Sequence, residues 1–462
     1  MIIIIGGGIS GLAAAYELSQ RRIPFRLLEA TARLGGLIRT ERRQGFTIDA
    51  GADSFLMSKP SARDLCLEIG LAPHVQEMKT PRSAYVVSNE CLFPLPSPSV
   101  LGIPTTLAAA LEFKLLPLSA RLRLLMEPFV PAGPDGDESI ASFFRRRFGP
   151  ATVNVVAQPL LGGIHAGDVE RLSVLSLFPN LVAAEAEGSV MRTLKPRSTD
   201  SRGPFSGLCG GMETLPHAIA QTLPVGTVQC QAPVRMIEST DQGWMVHSSA
   251  GRELASAVLF ATPLPVTAAL FQVVAPRVAT LFEGVPHAST VSVTMAWSRD
   301  EVASPLQGSG FVVARGEDSL RVTASTWVTS KWEGRAPPGY VMLRAFIGGV
   351  HDPSAVLLPD DELVSIATRD LRRVLGITGP PELTRVYRWQ DASPQLEVGH
   401  CSRVRRIQQE LETLPGIFVT GRGLRAVGIP DCISDARQVA SAAADYVARS
   451  VGNGMGNVHA RG

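Results

Sequence analysis

The clearest hydrophobic pattern lies at the start of the chain. Residues 2–5 are four consecutive isoleucines, and a glycine-rich stretch and the alanine-rich segment 12–20 follow them. Such an uninterrupted apolar run is typical of a strand buried on both faces, and the alanine-rich segment is typical of a helix. A second apolar stretch, 24–29, predicts another strand. The pattern therefore predicts a βαβ unit and a parallel sheet of the α/β class.

The hydrophobic pattern changes twice further along the chain. From about 80 to 186, prolines cluster and helical periodicity follows them, which predicts a mostly helical insertion. Strand-like stretches return from 228 to 347. The segment 416–450 then repeats the strand, loop and helix order of the N-terminus, so we expect it to pack against the first unit. The tail 451–462 is rich in Gly and Asn and is predicted to fray.

The composition is that of a globular protein with more than one packed unit. The 462 residues exceed the usual size of one domain, and 45% of them are hydrophobic. A formal net charge of +2 does not indicate a nucleic-acid partner. The arginine clusters at 145–147 and 403–406 are predicted to be solvated helix faces. Six cysteines without C-x-x-C spacing indicate neither a metal site nor a disulfide framework, so we expect a reduced, cytoplasmic chain.

No targeting or membrane-spanning segment is indicated. The first strand begins at residue 2, so we expect no cleavable leader. The longest apolar region, 107–129, is interrupted by Glu112, Lys114 and Arg121, and it lacks the roughly 20 apolar residues needed to cross a bilayer. Its mixture of apolar and cationic residues fits a helix lying on the cytoplasmic face of a membrane, but a core-facing amphipathic helix has the same pattern.

A glycine loop joins the first strand to the first helix. Gly6, Gly8 and Gly11 form a G-x-G-x-x-G pattern, and Glu29 follows at the end of the second strand. In a dinucleotide-binding fold the glycines allow a tight turn, close approach of a pyrophosphate and helix packing, while the acidic residue accepts hydrogen bonds from ribose hydroxyls. The strand and helix context makes this pattern specific. It predicts a nucleotide site.

A second glycine turn follows the acidic residue and carries a cation. The segment 30–36 contains Arg33, Gly35 and Gly36. A turn of this kind is the extension by which flavoproteins of the glutathione-reductase type hold the diphosphate of FAD. With the loop 49–54, which in such proteins passes close to the flavin, the N-terminal eighty residues resemble the flavin amine oxidase and protoporphyrinogen oxidase superfamily.

Three later segments make the protoporphyrinogen oxidase family the closer resemblance. Residues 163–168 resemble the segment that lines the cavity beside the flavin in that family. Residues 389–400 and 421–436 resemble its two C-terminal motifs, the second of which forms a flavin loop. The order and spacing of these motifs match the family over essentially the whole chain.

The resemblance implies a cofactor, a set of contacts and a substrate class. It implies FAD as cofactor and oxidation of a porphyrinogen in haem biosynthesis, with dioxygen as acceptor and hydrogen peroxide as product. It also implies peripheral contact with a membrane, and it is compatible with a homodimer. The substrate-binding residues that it implies are Arg82, Gly163 and His165, and the catalytic wall is the backbone at Gly163 and Gly167. The implied FAD contacts are Gly6, Gly8, Ile9, Ser10, Gly11, Glu29, Ala30, Arg33, Gly35, Gly36, Gly51, Ala52, Asp53, Ser54, Val234, Gly421, Val427, Gly428 and Ile429.

The same resemblance implies the fold and its division. We expect a Rossmann-type FAD-binding domain of the glutathione-reductase and amine-oxidase type, with a β-sheet substrate domain and a helical insertion. The predicted segments are 1–79, 191–260 and 401–450 for the FAD-binding domain, 80–190 for a helical and possible membrane-associating insertion, 261–400 for the substrate-binding β-rich domain, and 451–462 for the tail.

Four positions depart from the family pattern. His165 stands where the family usually has an aromatic residue, Leu396 where it has a tyrosine, Arg422 where it has an asparagine and Ala426 where it has a glycine. These departures concern the fit of the substrate more than the binding of the flavin. An imidazole near a flavin could also assist proton removal.

Several alternatives remain open at the level of sequence. The porphyrinogen can be protoporphyrinogen IX or coproporphyrinogen III. An amine oxidase would use a lysine near the flavin, and Lys331 lies in the right region, but it precedes the turn-like stretch 332–339, which is predicted to be exposed. A carotenoid desaturase is disfavoured by the two C-terminal motifs. A carrier of prenylated proteins related to Rab escort proteins would not keep an intact flavin site.

Overall fold

The computed structural model describes residues 1–133, 136–194, 203–317 and 319–456, with side chains described up to residue 450. The strands, in chain order, are β1 Ile2–Ile5, β2 Phe25–Leu28, β3 Thr40–Arg43, β4 Phe46–Asp49, β5 Phe55–Leu56, β6 Val75–Glu77, β7 Ala84–Ser88, β8 Cys91–Pro94, β9 Ser99–Val100, β10 Ile103–Pro104, β11 Phe205–Leu208, β12 Val228–Gln229, β13 Val234–Thr240, β14 Gly243–Ser248, β15 Gly251–Ala255, β16 Ala257–Phe260, β17 His287–Ser298, β18 Gly310–Val313, β19 Ala324–Trp327, β20 Tyr340–Gly348, β21 Leu383–Pro394 and β22 Ile417–Val419.

The helices lie mainly between residues 107 and 193 and around the two larger sheets. They are α1 Ile9–Gln20, α2 Ser61–Glu68, α3 Leu107–Glu112, α4 Leu118–Leu125, α5 Ile140–Arg147, α6 Gly163–His165, α7 Val174–Leu177, α8 Pro179–Ala186, α9 Val190–Thr193, α10 Thr214–Thr222, α11 Leu264–Phe271, α12 Pro276–Glu283, α13 Val328–Lys331, α14 Asp360–Leu375, α15 His400–Glu412 and α16 Ile429–Gly456. A π-helical stretch, Val153–Gly162, leads into α6.

A five-stranded parallel sheet forms the centre of the first unit. Its order is β12-β2-β1-β16-β22, and every neighbouring pair is parallel. The four isoleucines of β1 are at most 4% exposed, and alternate residues enter two different cores. Ile2 and Ile4 pack with α1 and α16, while Ile3 and Ile5 pack with α11 and α12. The predicted parallel sheet and α/β class are confirmed, and the C-terminal helix packs against α1 as expected.

A seven-stranded sheet carries the second layer. Its order is β21-β17-β20-β19-β18-β7-β8, and only β18 and β7 pair in parallel. The prediction that the helical insertion begins at 80 was therefore wrong for the segment 84–94, which forms two strands of this sheet. The prolines that suggested the boundary start only at Pro94, and the β-branched Val86 and Val87 before them are fully buried.

The helical region has a core of its own. Phenylalanines of α5 and apolar residues of the π-helical stretch pack together with α3, α4, α8 and α9. Arg147 lies fully buried in this region, next to the equally buried Glu127. The prediction that Arg147 lies on a solvated helix face was wrong. Three consecutive residues on a helix point in different directions, so they cannot all face the solvent. None of the described helices has the length and apolarity needed to cross a membrane.

The C-terminal tail differs from its prediction. Helix α16 continues to Gly456, past the predicted end at 450. The rest of the predicted tail, 457–462, lies outside the described residues.

Candidate flavin site

The glycine loop between β1 and α1 has the geometry that a dinucleotide requires. Gly6 has a φ of 105°, and a Cβ on Gly11 would lie 1.8 Å from the Gly6 carbonyl oxygen, so neither position tolerates a side chain. A Cβ on Gly8, in contrast, would meet no atom of the described residues within 4 Å. The first and third glycines therefore shape the loop, whereas Gly8 leaves open space at the N-terminus of α1, where a phosphate binds favourably. Ile9 and Ser10 form the first turn of this helix.

The second glycine turn packs directly on the first. The Gly35 amide donates to the Gly7 carbonyl at 2.8 Å, and Gly36 lies against the Gly8 Cα. Arg33 donates to the carbonyls of Leu34 and Ile38, each at 3.1 Å, and so holds its own turn closed. The two turns that the sequence predicted to act together are thus joined in one cradle.

Glu29 connects the two turns. Its carboxylate accepts hydrogen bonds from the amides of Gly7 at 2.7 Å and Thr31 at 2.8 Å. The following Ala30 is exposed, and Val234, at the start of β13, is half-buried. Glu29 is therefore fixed at the mouth of the loop.

Buried charged side chains hold the loop 49–54 in place. Asp49 lies 3.0 Å from Arg335 and also accepts from the Thr40 hydroxyl at 2.6 Å. Arg344 donates to the carbonyls of Asp49 and Gly51 at 2.8 and 2.7 Å. A Cβ on Gly51 would lie 2.2 Å from the Leu37 carbonyl. The loop is therefore held rigidly, with the exposed Ala52 at its tip.

The prediction that the stretch 332–339 is exposed was wrong for Trp332 and Arg335, and Lys331 before it is also buried. Lys331 is only 9% exposed, and its ammonium lies 3.0 Å from Asp53 and 3.4 Å from the Ser54 hydroxyl. The local stretch after Lys331 does form turns, but α13 directs the lysine inward between the rings of Phe205 and Trp332. Burial alone would raise the pKa of the Asp53 carboxyl, and the neighbouring Lys331 and Arg344 cations reverse this and hold it well below its usual range.

The C-terminal loop after β22 reaches the same region. Gly421 has a φ of 116°, and Asp435 accepts hydrogen bonds from the Thr420 hydroxyl at 2.6 Å and from the Gly421 amide. Val427 and Gly428 lead into α16, whose first residue is Ile429. A Cβ on Gly421 would lie 3.8 Å from the Ser10 hydroxyl, so this loop borders the glycine loop. Residues predicted from two distant motifs are brought together here.

His165 lies at the end of a turn that the β21 terminus holds in place. The His165 carbonyl accepts from the Ser393 hydroxyl at 3.0 Å and from the Gln395 amide at 2.9 Å. Gly163 is exposed, whereas a Cβ on Gly167 would lie 2.3 Å from the Gln395 side chain. Gly163 can therefore face a ligand, and Gly167 is required by packing.

The His165 ring is buried and packs edge-on against Phe178 at 5.8 Å between ring centroids. Burial, together with the nearby cations Arg422 and Lys59, lowers the pKa of His165 to about 4. The imidazole is therefore neutral at physiological pH, and it has none of the charge needed to hold a carboxylate. Of the other departures from the family, Leu396 and Ala426 are buried apolar residues.

The lowered pKa of His165 predicts a loss of stability in acid. The unfolded chain binds a proton at about pH 6.5, whereas the folded chain resists it until about pH 4, so the free energy of unfolding should fall as the pH drops through this window. In His165→Phe, which keeps the ring contact with Phe178, the free energy of unfolding should fall less steeply with decreasing pH. The difference in slope should reach up to about 1.4 kcal/mol per pH unit. Urea unfolding at several pH values measures it, and identical slopes would contradict the prediction.

Arg82 is half-buried and donates to the Met78 carbonyl through two nitrogens at 3.3 Å. Within the described part of the chain no hydrogen bond joins it to the other predicted site residues. Sequence reasoning also missed two cations of this region, Arg344 and Lys59. Lys59 pairs with Asp431 in the first turn of α16 at 2.7 Å. Neither lies in a recognisable motif, so no sequence signal could have identified them.

The comparisons with known proteins agree with this geometry. The family model described as flavin containing amine oxidoreductase matches residues 9–444. A coproporphyrinogen III oxidase of Bacillus subtilis (strain 168) is 34% identical, with 96% of this chain and 98% of the relative covered, and one of Staphylococcus aureus is 32% identical over 95% and 98%.

A solved structure shows the same fold. The crystal structure of an Exiguobacterium sp. 255-15 protein assigned as a protoporphyrinogen oxidase superposes with a TM-score of 0.85 at 32% identity, with 96% of this chain and 98% of that chain covered. The expected FAD-binding fold is confirmed, and FAD is the cofactor that the paired glycine turns fit. The chain therefore belongs to the flavin-containing amine oxidoreductase family.

Proposed function

We propose that the protein oxidises a porphyrinogen to the porphyrin, with coproporphyrinogen III as the preferred substrate. The observation that carries this proposal is the similarity over nearly the whole chain to relatives named coproporphyrinogen III oxidase, at 30–34% identity in seven cases. The protoporphyrinogen oxidase 2 of Arabidopsis thaliana is more distant, at 26%. The chemistry removes six electrons and six protons from the porphyrinogen, and three dioxygen molecules would become three of hydrogen peroxide.

The proposed roles of the residues follow from the cradle. The N-terminus of α1, with Gly8, faces the diphosphate of FAD, Glu29 faces the ribose, and the loops at 51–54 and 421–429 enclose the flavin ring. FAD supplies the acceptor of hydride when it is bound. The protein binds and orients the substrate, and the exposed backbone at Gly163 forms one wall of the cavity.

The buried lysine does not favour an amine oxidase. An amine oxidase of this fold would need a lysine free to hold a water at the flavin, whereas the Lys331 ammonium is bound by Asp53 and Ser54. Its surroundings are a buried ion pair and two aromatic rings. We propose that Lys331 positions the loop 51–54.

Arg82 is the proposed partner of a substrate propionate. A guanidinium is permanently charged and can hold a carboxylate with two donors. Arg82→Gln should raise the KM for the porphyrinogen about tenfold to a hundredfold and change kcat little, since a hydrogen bond to a charged group contributes about 1.5–3 kcal/mol. The KM of Arg82→Lys should lie between that of the wild type and that of Arg82→Gln. Steady-state kinetics measure this split, and a loss confined to kcat would contradict the assignment.

The function is tested by anaerobic mixing. The yellow protein is mixed separately with coproporphyrinogen III, protoporphyrinogen IX and putrescine, while flavin absorbance is followed, and air is then admitted. We expect coproporphyrinogen III to bleach the flavin fastest, with porphyrin fluorescence appearing faster than autoxidation. Bleaching by the amine alone, or by none of the three in a protein that holds FAD, would overturn the proposal.

A second proposal concerns the surface of the helical region. Apolar side chains are exposed on α3, α4 and the turn after them, at 62% for Leu107, 63% for Leu118 and 75% for Phe129. We propose that this stripe contacts a membrane surface, with the exposed Lys114 beside it. Arg121 and Arg123 contribute less to the proposed membrane contact than the sequence suggested, because their guanidinium groups donate to backbone carbonyls.

Co-sedimentation with vesicles tests the membrane contact. The protein should sediment with vesicles that contain anionic lipid, and Leu118→Ser with Phe129→Ser should release it while flavin content stays unchanged. Equal binding of the double variant would show that another surface is responsible.

A further inference from the structure

Arg422 is a half-buried cation in the loop after β22. One guanidinium nitrogen donates to the Ala392 carbonyl at 2.8 Å, and another donates to the Ser393 hydroxyl at 3.3 Å. The Nε atom is buried and has no hydrogen-bond partner among the residues that the structure describes. Both partners are neutral, so the charge of the guanidinium is not compensated by these contacts.

No carboxylate lies within ion-pair distance of Arg422 in the described part of the chain. The two acidic residues at the start of α16 already have cationic partners: Asp435 is paired with Arg425 at 2.6 Å and Asp431 with Lys59 at 2.7 Å. The buried arginines of the described chain differ, since Arg147, Arg335 and Arg344 each face a carboxylate. Burying a charge without a counter-charge is costly, and burial accordingly lowers the pKa of Arg422. The site therefore calls for an anion.

The position of Arg422 indicates which anion this is. The preceding residue, Gly421, borders Ser10 of the glycine loop. On the opposite side, Ser393 links the guanidinium to the His165 carbonyl. Arg422 thus lies between the N-terminus of α1 and the turn at 163–167, which is where the proposed flavin site places the ring.

We propose that Arg422 provides the positive charge that balances the negative charge gained by the flavin ring on reduction, and that it thereby sets the reduction potential of the flavin. Charge near the pyrimidine end of the ring is a known lever on flavin electronics. The same charge favours the addition of sulfite to N5, which leaves the ring negative. The proposal rests on the proposed flavin site but not on the porphyrinogen.

Sulfite titration and potentiometry of Arg422→Gln and Arg422→Lys test the proposal. In Arg422→Gln the dissociation constant for sulfite should rise about tenfold or more, and the midpoint potential should become more negative. Arg422→Lys keeps the charge and should stay close to the wild type. Arg252→Gln, which changes the same charge at an exposed position of β15, should alter neither quantity.

The outcomes show whether the charge of Arg422 acts on the flavin ring or on the diphosphate of FAD. If Arg422→Gln holds FAD with unchanged sulfite affinity and potential, the proposal is overturned. It is overturned equally if only the affinity for FAD falls, since the charge would then face the diphosphate. Should Arg422→Gln not retain flavin, the wild-type holoenzyme decides: its reduced flavin should keep the anionic spectrum at mildly acid pH, and a neutral spectrum would refute the idea. Neither readout uses a porphyrinogen, so failure of the substrate assignment leaves this test intact.

Discussion

Replacing Lys331 by methionine is expected to lower the free energy of unfolding by about 3–5 kcal/mol, because it leaves the Asp53 carboxylate buried beside an apolar group. Asp53 is 8% exposed and Lys331 is 9% exposed. Arg344, 3.5 Å from Asp53, compensates part of the charge, so the loss should lie toward the lower end of that range. Flavin content should also fall, since the pair fixes the loop 51–54.

The chain offers a matched control for this substitution. Lys59 pairs with Asp431 at a similar distance, 2.7 Å, but its side chain is 46% exposed. Lys59→Met should therefore cost at most about 1 kcal/mol. The double variant Asp53→Asn with Lys331→Met should be less destabilised than the sum of its single changes, because it removes both charges. Urea unfolding of the wild type, Lys331→Met, Lys59→Met, Asp53→Asn and the double variant measures this, and equal losses in Lys331→Met and Lys59→Met would refute the argument.

The sequence was most informative where the physical requirement is local. The glycine loop could be predicted because the tight turn at Gly6, the close packing at Gly11 and the open space at Gly8 all depend on neighbouring residues of one strand, turn and helix. The same holds for the second turn, which packs on the first within thirty residues. The parallel sheet followed from the isoleucine run, which can be satisfied only by burial on both faces.

The charged residues of the core could not be predicted in this way. Lys331 and Asp53 are 278 positions apart, and the turn-like residues after Lys331 pointed to the surface. Arg147 belongs to a cationic run and is nevertheless fully buried, because its partner Glu127 lies outside the helix that carries it. In both cases the burial of the charge depends on a distant partner, which a local pattern does not contain. Arg422 was recognised as unusual, but its missing counter-charge becomes visible only in three dimensions.

Gly8→Ala is expected to weaken FAD binding by about a hundredfold or more without disturbing the fold. Gly8 has a φ of −70°, which alanine adopts without strain, and within the part of the chain that the structure describes the added Cβ would meet no atom within 4 Å. The only group that would collide with it is a ligand seated at the N-terminus of α1. The apoprotein should therefore keep the wild-type melting temperature, while added FAD should raise it much less than in the wild type.

Gly11→Ala provides the contrast that makes this prediction specific. Its Cβ would lie 1.8 Å from the Gly6 carbonyl oxygen, so the strand and the helix must move apart, and both the stability of the apoprotein and the binding of FAD should be lost. Thermal unfolding with and without FAD, combined with flavin fluorescence titration, separates the two variants. If Gly8→Ala binds FAD as tightly as the wild type, the diphosphate does not pass over Gly8. If it melts like Gly11→Ala, the open space beside Gly8 is needed by the protein itself.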